Sequence, residues 1–160
     1  GAYVTTLAWY SMHYLWMPNG RILRTRFNVS RSFADDAAVS DVSVYGTPEG
    51  FRGHARPGDT WLINSSWEYS ATRAWVLALD LVYQHNENTS VRGSIPDPAD
   101  PLARIDFRAD SGSGWQFGLV PAIEYNFTSA VGVIVGARWF AAGRNASAGI
   151  TPVAAINMVF

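Results

Sequence analysis

Apolar and polar residues alternate in twos through most of the chain, most clearly from Trp115 to Phe127. Trp115, Phe117, Leu119, Pro121, Ile123, Tyr125 and Phe127 fall on one side; Gln116, Gly118, Val120, Ala122, Glu124 and Asn126 fall on the other. Successive side chains of a strand point to opposite faces, so the pattern predicts a strand with one apolar and one mixed face. Residues 75–84 repeat it: Trp75, Leu77, Leu79, Leu81 and Tyr83 oppose Val76, Ala78, Asp80, Val82 and Gln84. Upstream, Trp61, Ile63, Ser65, Trp67 and Tyr69 oppose Leu62, Asn64, Ser66 and Glu68, while Leu23, Thr25, Phe27, Val29, Arg31 and Phe33 oppose Arg24, Arg26, Asn28 and Ser30. Val131, Val133, Val135, Ala137 and Trp139 oppose Gly132, Ile134, Gly136, Arg138 and Phe140, and a closing run sets Ile150, Pro152, Ala154, Ile156, Met158 and Phe160 on one face.

Seven antiparallel strands are therefore expected, at about residues 3–16, 21–33, 59–70, 73–85, 114–127, 131–141 and 149–160. The first is ambiguous, because both of its faces carry aromatics. The connections "MPNG", "SATR" and "FTSAVG" are short, and Asn-Gly favours a hairpin turn. Residues 34–58 and 86–112 are expected to be long loops, rich in Gly, Pro, Asp and Ser and holding most of the acidic residues. Short turns on one side and long extracellular loops on the other is the layout of an outer-membrane β-barrel.

Alternation leaves open whether the apolar face turns inward, as in a soluble barrel, or outward to lipid. Aromatic placement favours lipid. Trp75 and Tyr83 bracket three leucines, and Trp115 with Phe117 and Tyr125 with Phe127 bracket aliphatics, as amphipathic rings do at the two headgroup levels. Trp61, Trp67, Tyr69 and Trp139 join this expected girdle. Eight strand rises tilted by ~40° carry Trp75 and Tyr83 roughly 20 Å apart along the membrane normal, close to the ~25 Å apolar band. The opposite face mixes small residues with Arg24, Arg26, Glu68, Asp80, Glu124 and Arg138, which suits a wet or salt-bridged lumen. An unpaired charge in a dry core would cost several kcal/mol.

Composition narrows this further. Of 160 residues, 16% are charged and 14% aromatic, against the usual ~25% charged in soluble domains. All twelve basic residues are Arg, and the net charge of −1 makes no case for nucleic acid. The absence of Cys excludes disulfides and thiolate metal sites. Single-chain bacterial barrels have an even number of strands, from eight upward, so seven strands are expected to be the carboxyl-terminal portion of a larger barrel. A preceding segment or another chain would complete the wall.

The stretch "VPAIEYNFTSAVGVIVGARWFAAGRNASAGITPVAAINMVF", with "MPNGRILRTRFNVS" and "VSVYGTPEGFRG" upstream, resembles the back half of a proteobacterial outer-membrane family named for the meta-pathway of phenol degradation. The resemblance implies a longer barrel in the bacterial outer membrane that carries small solutes, aromatic or hydrophobic ones among them. Its partners would be outer-membrane lipid, lipopolysaccharide and the assembly machinery, which reads a terminal signal matching Ile156, Met158 and Phe160. The expected function is a channel with no cofactor, its selectivity set by the six charged lumen residues.

Two other function classes compete. A structural or adhesive barrel would meet a partner through its acidic loops. An outer-membrane enzyme, lipid-modifying or proteolytic, would need a nucleophile and base near the rim. Ser11 and His13 share a strand face about 7 Å apart, too far for a nucleophile–base bond. His54 and His85 lie in or beside the long loops, near Asp59 and Glu87, and are expected to be solvated. Asp35, Asp36, Asp41, Asp97, Asp100, Asp106 and Asp110 are the oxygens a Ca²⁺ site would draw on, but no twelve-residue EF-hand loop is present, and solvated turns are the expectation.

Overall fold

The computed structural model describes residues 1–100 and 102–158, and its regular elements are antiparallel strands. In chain order these are β1 (Val4–Trp16), β2 (Ile22–Ala34), β3 (Ala37–Ser40), β4 (Arg52–Arg56), β5 (Thr60–Ser70), β6 (Trp75–Asn86), β7 (Ser90–Pro96), β8 (Arg104–Asp110), β9 (Gly114–Asn126), β10 (Val131–Arg144) and β11 (Gly149–Met158). They form a seven-stranded sheet in the order β1-β2-β5-β6-β9-β10-β11 and a four-stranded sheet in the order β3-β4-β7-β8. The seven long strands match the alternating runs. The larger sheet is open, with β1 and β11 as its edges.

The expectation of loops at 34–58 and 86–112 is corrected. These segments supply β3, β4, β7 and β8, where half of the inward positions are Gly or Ala and interrupt the hydrophobic alternation. Ala37, Ala55, Val91 and Ala109 form one cross-strand row, and Val39, Gly53, Gly93 and Phe107 the next.

Two compact units divide the chain: Gly1–Leu7, Arg31–Thr60 and His85–Gly114 make the first, and Ala8–Ser30, Trp61–Gln84 and the residues from Trp115 on make the second. The first unit holds the apolar core. Phe51 is fully buried there with Ala55 and Val91, and Val39, Tyr45, Ile95, Phe107 and Ala109 pack around them. Its ring lies over the facing pair Gly53 and Gly93, where a Cβ on either would come within 2.8 Å of the ring. Phe107 meets Phe51 edge-on at 5.5 Å.

The second unit buries no large apolar side chain among the described residues. Two of its short turns share one device. Thr72 Oγ1 accepts hydrogen bonds from the backbone N–H groups of Ala74 and Trp75, and Thr128 Oγ1 accepts them from Ala130 and Val131. A threonine three residues before the next strand thus substitutes for a backbone partner and sets the hairpin. The β9–β10 ladder pairs Ala122 with Gly136 and resumes at Leu119 with Trp139. The gap falls at Pro121, which has no N–H to give.

Candidate functional site

Side-chain contacts and cavity linings separate the side chains of the seven-stranded sheet into two sets. One contains Arg24, Arg26, Glu68, Asp80 and Arg138, with Glu124 on the same parity of β9 as Ala122, as alternation predicts. On β2 and β5, both oxygens of Glu68 are engaged: Oε2 accepts from Arg24 Nη2, and Oε1 from Arg26 Nη2 at 2.6 Å. The carboxylate is only 13% exposed, while Arg24 and Arg26 are 35% and 42% exposed. One carboxylate between two guanidiniums leaves a net positive group, and Arg26 Nε is buried without a partner.

A cavity of about 420 Å³ opens on the same face. Tyr10, Asn64, Asp80, Gln84, Arg138 and Phe140 contribute to its lining. Its lining reaches from Tyr10 of β1 to Phe140 of β10, across six neighbouring strands of the sheet. A second cavity of about 180 Å³ is lined by Arg26, Glu68, Ala78, Asp80 and Ala122. Asp80 lines both. Asp80 and Arg138 make no ion pair or side-chain hydrogen bond among the described residues. Glu124 stands apart from these charges, with Oε1 accepting from Asn157 Nδ2 of β11 at 3.0 Å.

The ambiguity of β1 is resolved. Thr6 shares a 2.9 Å hydroxyl–hydroxyl hydrogen bond with Ser32, and Tyr10 lines the larger cavity, so its even-numbered residues join the charged face. Its odd-numbered residues join the apolar one, where Trp9 approaches Phe27 at 5.9 Å.

The expected girdle residues fall on the apolar face. Near the short turns Trp75 lies 4.7 Å from Tyr125, which meets Phe127 edge-on at 5.0 Å. Toward the other strand ends Tyr83 stacks on Trp115 at 6.4 Å. Tyr69 OH accepts from Asn19 Nδ2 in the first short turn. Trp61 is half-buried near the start of β5. Trp67 and Trp139 are exposed, and Trp139 lies farther from the strand ends, opposite Leu119 and Ile150. Ile156 and Met158 are exposed on this face too; Phe160, the third residue of the expected assembly signal, lies outside the described residues.

Ser11 does not face a base: its hydroxyl donates to the Phe27 carbonyl at 3.4 Å. His13 lines a shallow apolar hollow with Leu23, Phe27 and Trp67. Several loop acids hold turns. Asp41 Oδ1 accepts from Gly50 N, Asp97 Oδ1 from Ala99 N, and Asp100 Oδ1 from Leu102 N. Among the described residues no group of three or more His, Cys, Asp or Glu is placed to hold a metal ion.

One cluster was not anticipated. Arg31 pairs with Asp59 at 2.8 Å and Glu87 at 3.5 Å, and its guanidinium lies 4.7 Å from the centre of the Phe33 ring. Alternation places Arg31 on the apolar face, where a charge needs partners, and that was its only signal. Compared with known proteins, the chain matches no family model, no curated protein and no solved structure.

Proposed function

We propose that the seven-stranded sheet is wall of an antiparallel β-barrel in the bacterial outer membrane, and that small solutes pass along its charged face. The observation that carries this reading is which face is exposed. A soluble barrel of this size would bury its apolar side chains in a core. Here Trp75, Leu77, Val135 and Trp139 are exposed, while the cavities open on the face with the charges. Lipid is the solvent that suits such an exterior. The two aromatic clusters, Trp75–Tyr125–Phe127 and Tyr83–Trp115, support it as candidates for the two interface belts.

The edge strand β1 supports closure. It runs thirteen residues without Asp, Glu, Lys, Arg or Pro. In water a long uncharged edge invites aggregation; in a closed wall a neighbouring strand pairs with it. On this reading Arg24, Arg26 and Glu68 brace the wall and narrow the path, and the unpaired Asp80 and Arg138 meet the solute. Aromatic or hydrophobic solutes, suggested by the sequence resemblance, would find Tyr10, Val82 and Phe140 beside those charges.

The test is conductance in a planar bilayer. Arg24→Ala with Arg26→Ala leaves Glu68 unopposed and is expected to shift the reversal potential toward cations. Channels with unchanged reversal potential and conductance would remove the selectivity role, and a protein giving no channels at all would remove the transport reading.

A further inference from the structure

The four-stranded sheet has a second face, opposite the Phe51 core, and its register concentrates arginine there. Ala38, His54, Arg92 and Arg108 form one cross-strand row over β3, β4, β7 and β8. Flanking rows run Ser40, Arg52, Ser94, Asp106 and Arg56, Ser90, Asp110. Arg52, His54, Arg56, Arg92 and Arg108 are all exposed. Asp106 and Asp110 in these rows, with Asp36 beside Arg56, offset part of this charge and leave the face net positive. Arg56 and Asp36 are 3.8 Å apart, and Arg108 and Asp106 are 3.9 Å apart, all four side chains being well exposed. Arg52, His54 and Arg92 have no ion pair or side-chain hydrogen bond among the described residues. Arg104 is held internally, donating to Ser94 Oγ and to the Gly50 and Ser94 carbonyls.

Arg92 directly opposite Arg108 is a like-charge cross-strand pair, which destabilises a sheet unless an anion lies between them. Neighbouring strands are ~4.8 Å apart and same-face residues along a strand ~7 Å apart, so Arg92 lies within roughly 5–9 Å of Arg52, Arg56 and Arg108 across the face. His54 is the one aromatic ring in these rows, so the face lacks the succession of platforms on which single-stranded bases stack. It also lacks the apolar anchors of a protein hot spot or of an interfacial membrane surface. Ser40, Ser90 and Ser94 interleave hydroxyl donors instead.

We propose that this face is a docking surface for an anionic polysaccharide, a sugar chain bearing repeated carboxylate or sulfate groups. Guanidiniums meet such groups through paired N–H donors, and serine hydroxyls meet sugar hydroxyls. The surface lies wholly within the first unit and does not depend on the membrane reading.

The probe is heparin, with neutral dextran, a single-stranded oligonucleotide and phosphatidylglycerol-containing vesicles alongside, offered to the full chain held in amphipol free of detergent. Heparin is expected to bind at low ionic strength and to be released by about 0.5 M salt, as screening of exposed charges requires. Dextran is expected not to bind. Arg92→Ser with Arg108→Ser should weaken heparin binding about tenfold or more, while Arg21→Ser, in a short turn, should leave it unchanged. Amide protection in β4 and β7 checks that the double variant keeps the sheet; should it be lost, Arg52→Ser carries the same test. Undiminished binding by a folded variant overturns the proposal. Oligonucleotide or vesicle binding as tight as heparin's also overturns it, in favour of that partner.

Discussion

Truncating Phe51 tests whether the smaller sheet stands on its own core. Its side chain is fully buried, sits over Gly53 and Gly93, and is the one large side chain among the described residues with essentially no exposure. Burying ~150–250 Å² of aromatic surface at ~25 cal/mol per Å² contributes about 4–6 kcal/mol, with the edge-on contact to Phe107 adding roughly 1 kcal/mol. Measured Phe→Ala losses of about 3–5 kcal/mol set the scale, and the half-buried Val39, Tyr45 and Ile95 leave room for partial collapse. Phe51→Ala is therefore expected to cost about 3 kcal/mol, a rise of about 100-fold in the opening equilibrium of the unit. Hydrogen exchange resolved by segment reads this directly. Amides of β4 and β7 should exchange about 100-fold faster while those of β9 and β10 keep their rates. A change below about tenfold in β4 and β7 would refute the reasoning that Phe51 is the core's main contact. An equal rise in all four strands would show that the two sheets open as one cooperative body.

Other substitutions separate the remaining claims. Leu79→Arg puts a charge between Trp75 and Tyr83 on the apolar face, and should cost about 2–4 kcal/mol in denaturant unfolding from lipid vesicles; a loss near zero would mean that Leu79 does not face lipid. Glu68→Gln frees Arg24 and Arg26 from their shared carboxylate, costing about 1–2 kcal/mol after allowance for their partial exposure. It should also shift bilayer selectivity toward anions, the reverse of the double arginine variant, and a shift toward cations would contradict the lumen assignment. Gly93→Ala would drive a Cβ to 2.3 Å from the Arg52 carbonyl oxygen and 2.8 Å from Gly53 Cα. Backbone cannot yield as a flexible side chain does, so a loss of about 1–3 kcal/mol is expected, seen as faster proteolysis around β7. Wild-type resistance would argue against the close Gly53–Gly93 pairing.

The long strands were legible because their outward positions carry Trp, Tyr, Phe, Leu and Val, so a period of two stands out over nine or more residues. The short ones failed that test for a physical reason. Ala37, Gly53, Ala55, Gly93 and Ala109 fill inward positions with small side chains, and the ring that covers them, Phe51, comes from the turn before β4. Alternation sees volume within one strand; it does not see a large residue from outside filling the space left by small ones. The same limit governs the arginine face, since Arg52, Arg92 and Arg108 are far apart in sequence and become neighbours only through register.

Register also explains how far the charged face was legible. Parity alone assigned Arg24, Arg26 and Glu68 to one side of the sheet, because a strand side chain has only two directions to choose from. It gave no indication that Glu68 would sit level with both arginines, or that Glu124 would turn to Asn157 instead. Those heights depend on how β2 slides against β5 across the β3–β4 insertion, and on the ladder that carries Asn157 past Gly132 to Asn126. The alternating pattern therefore supports membership of the charged face, while pairing within it is set by contacts distant in sequence. Asp80 and Arg138 share the face and the cavity, yet neither makes an ion pair or side-chain hydrogen bond among the described residues. On the proposed channel reading, these two opposite charges beside one cavity are the groups a solute would meet, while Arg24, Arg26 and Glu68 hold one another.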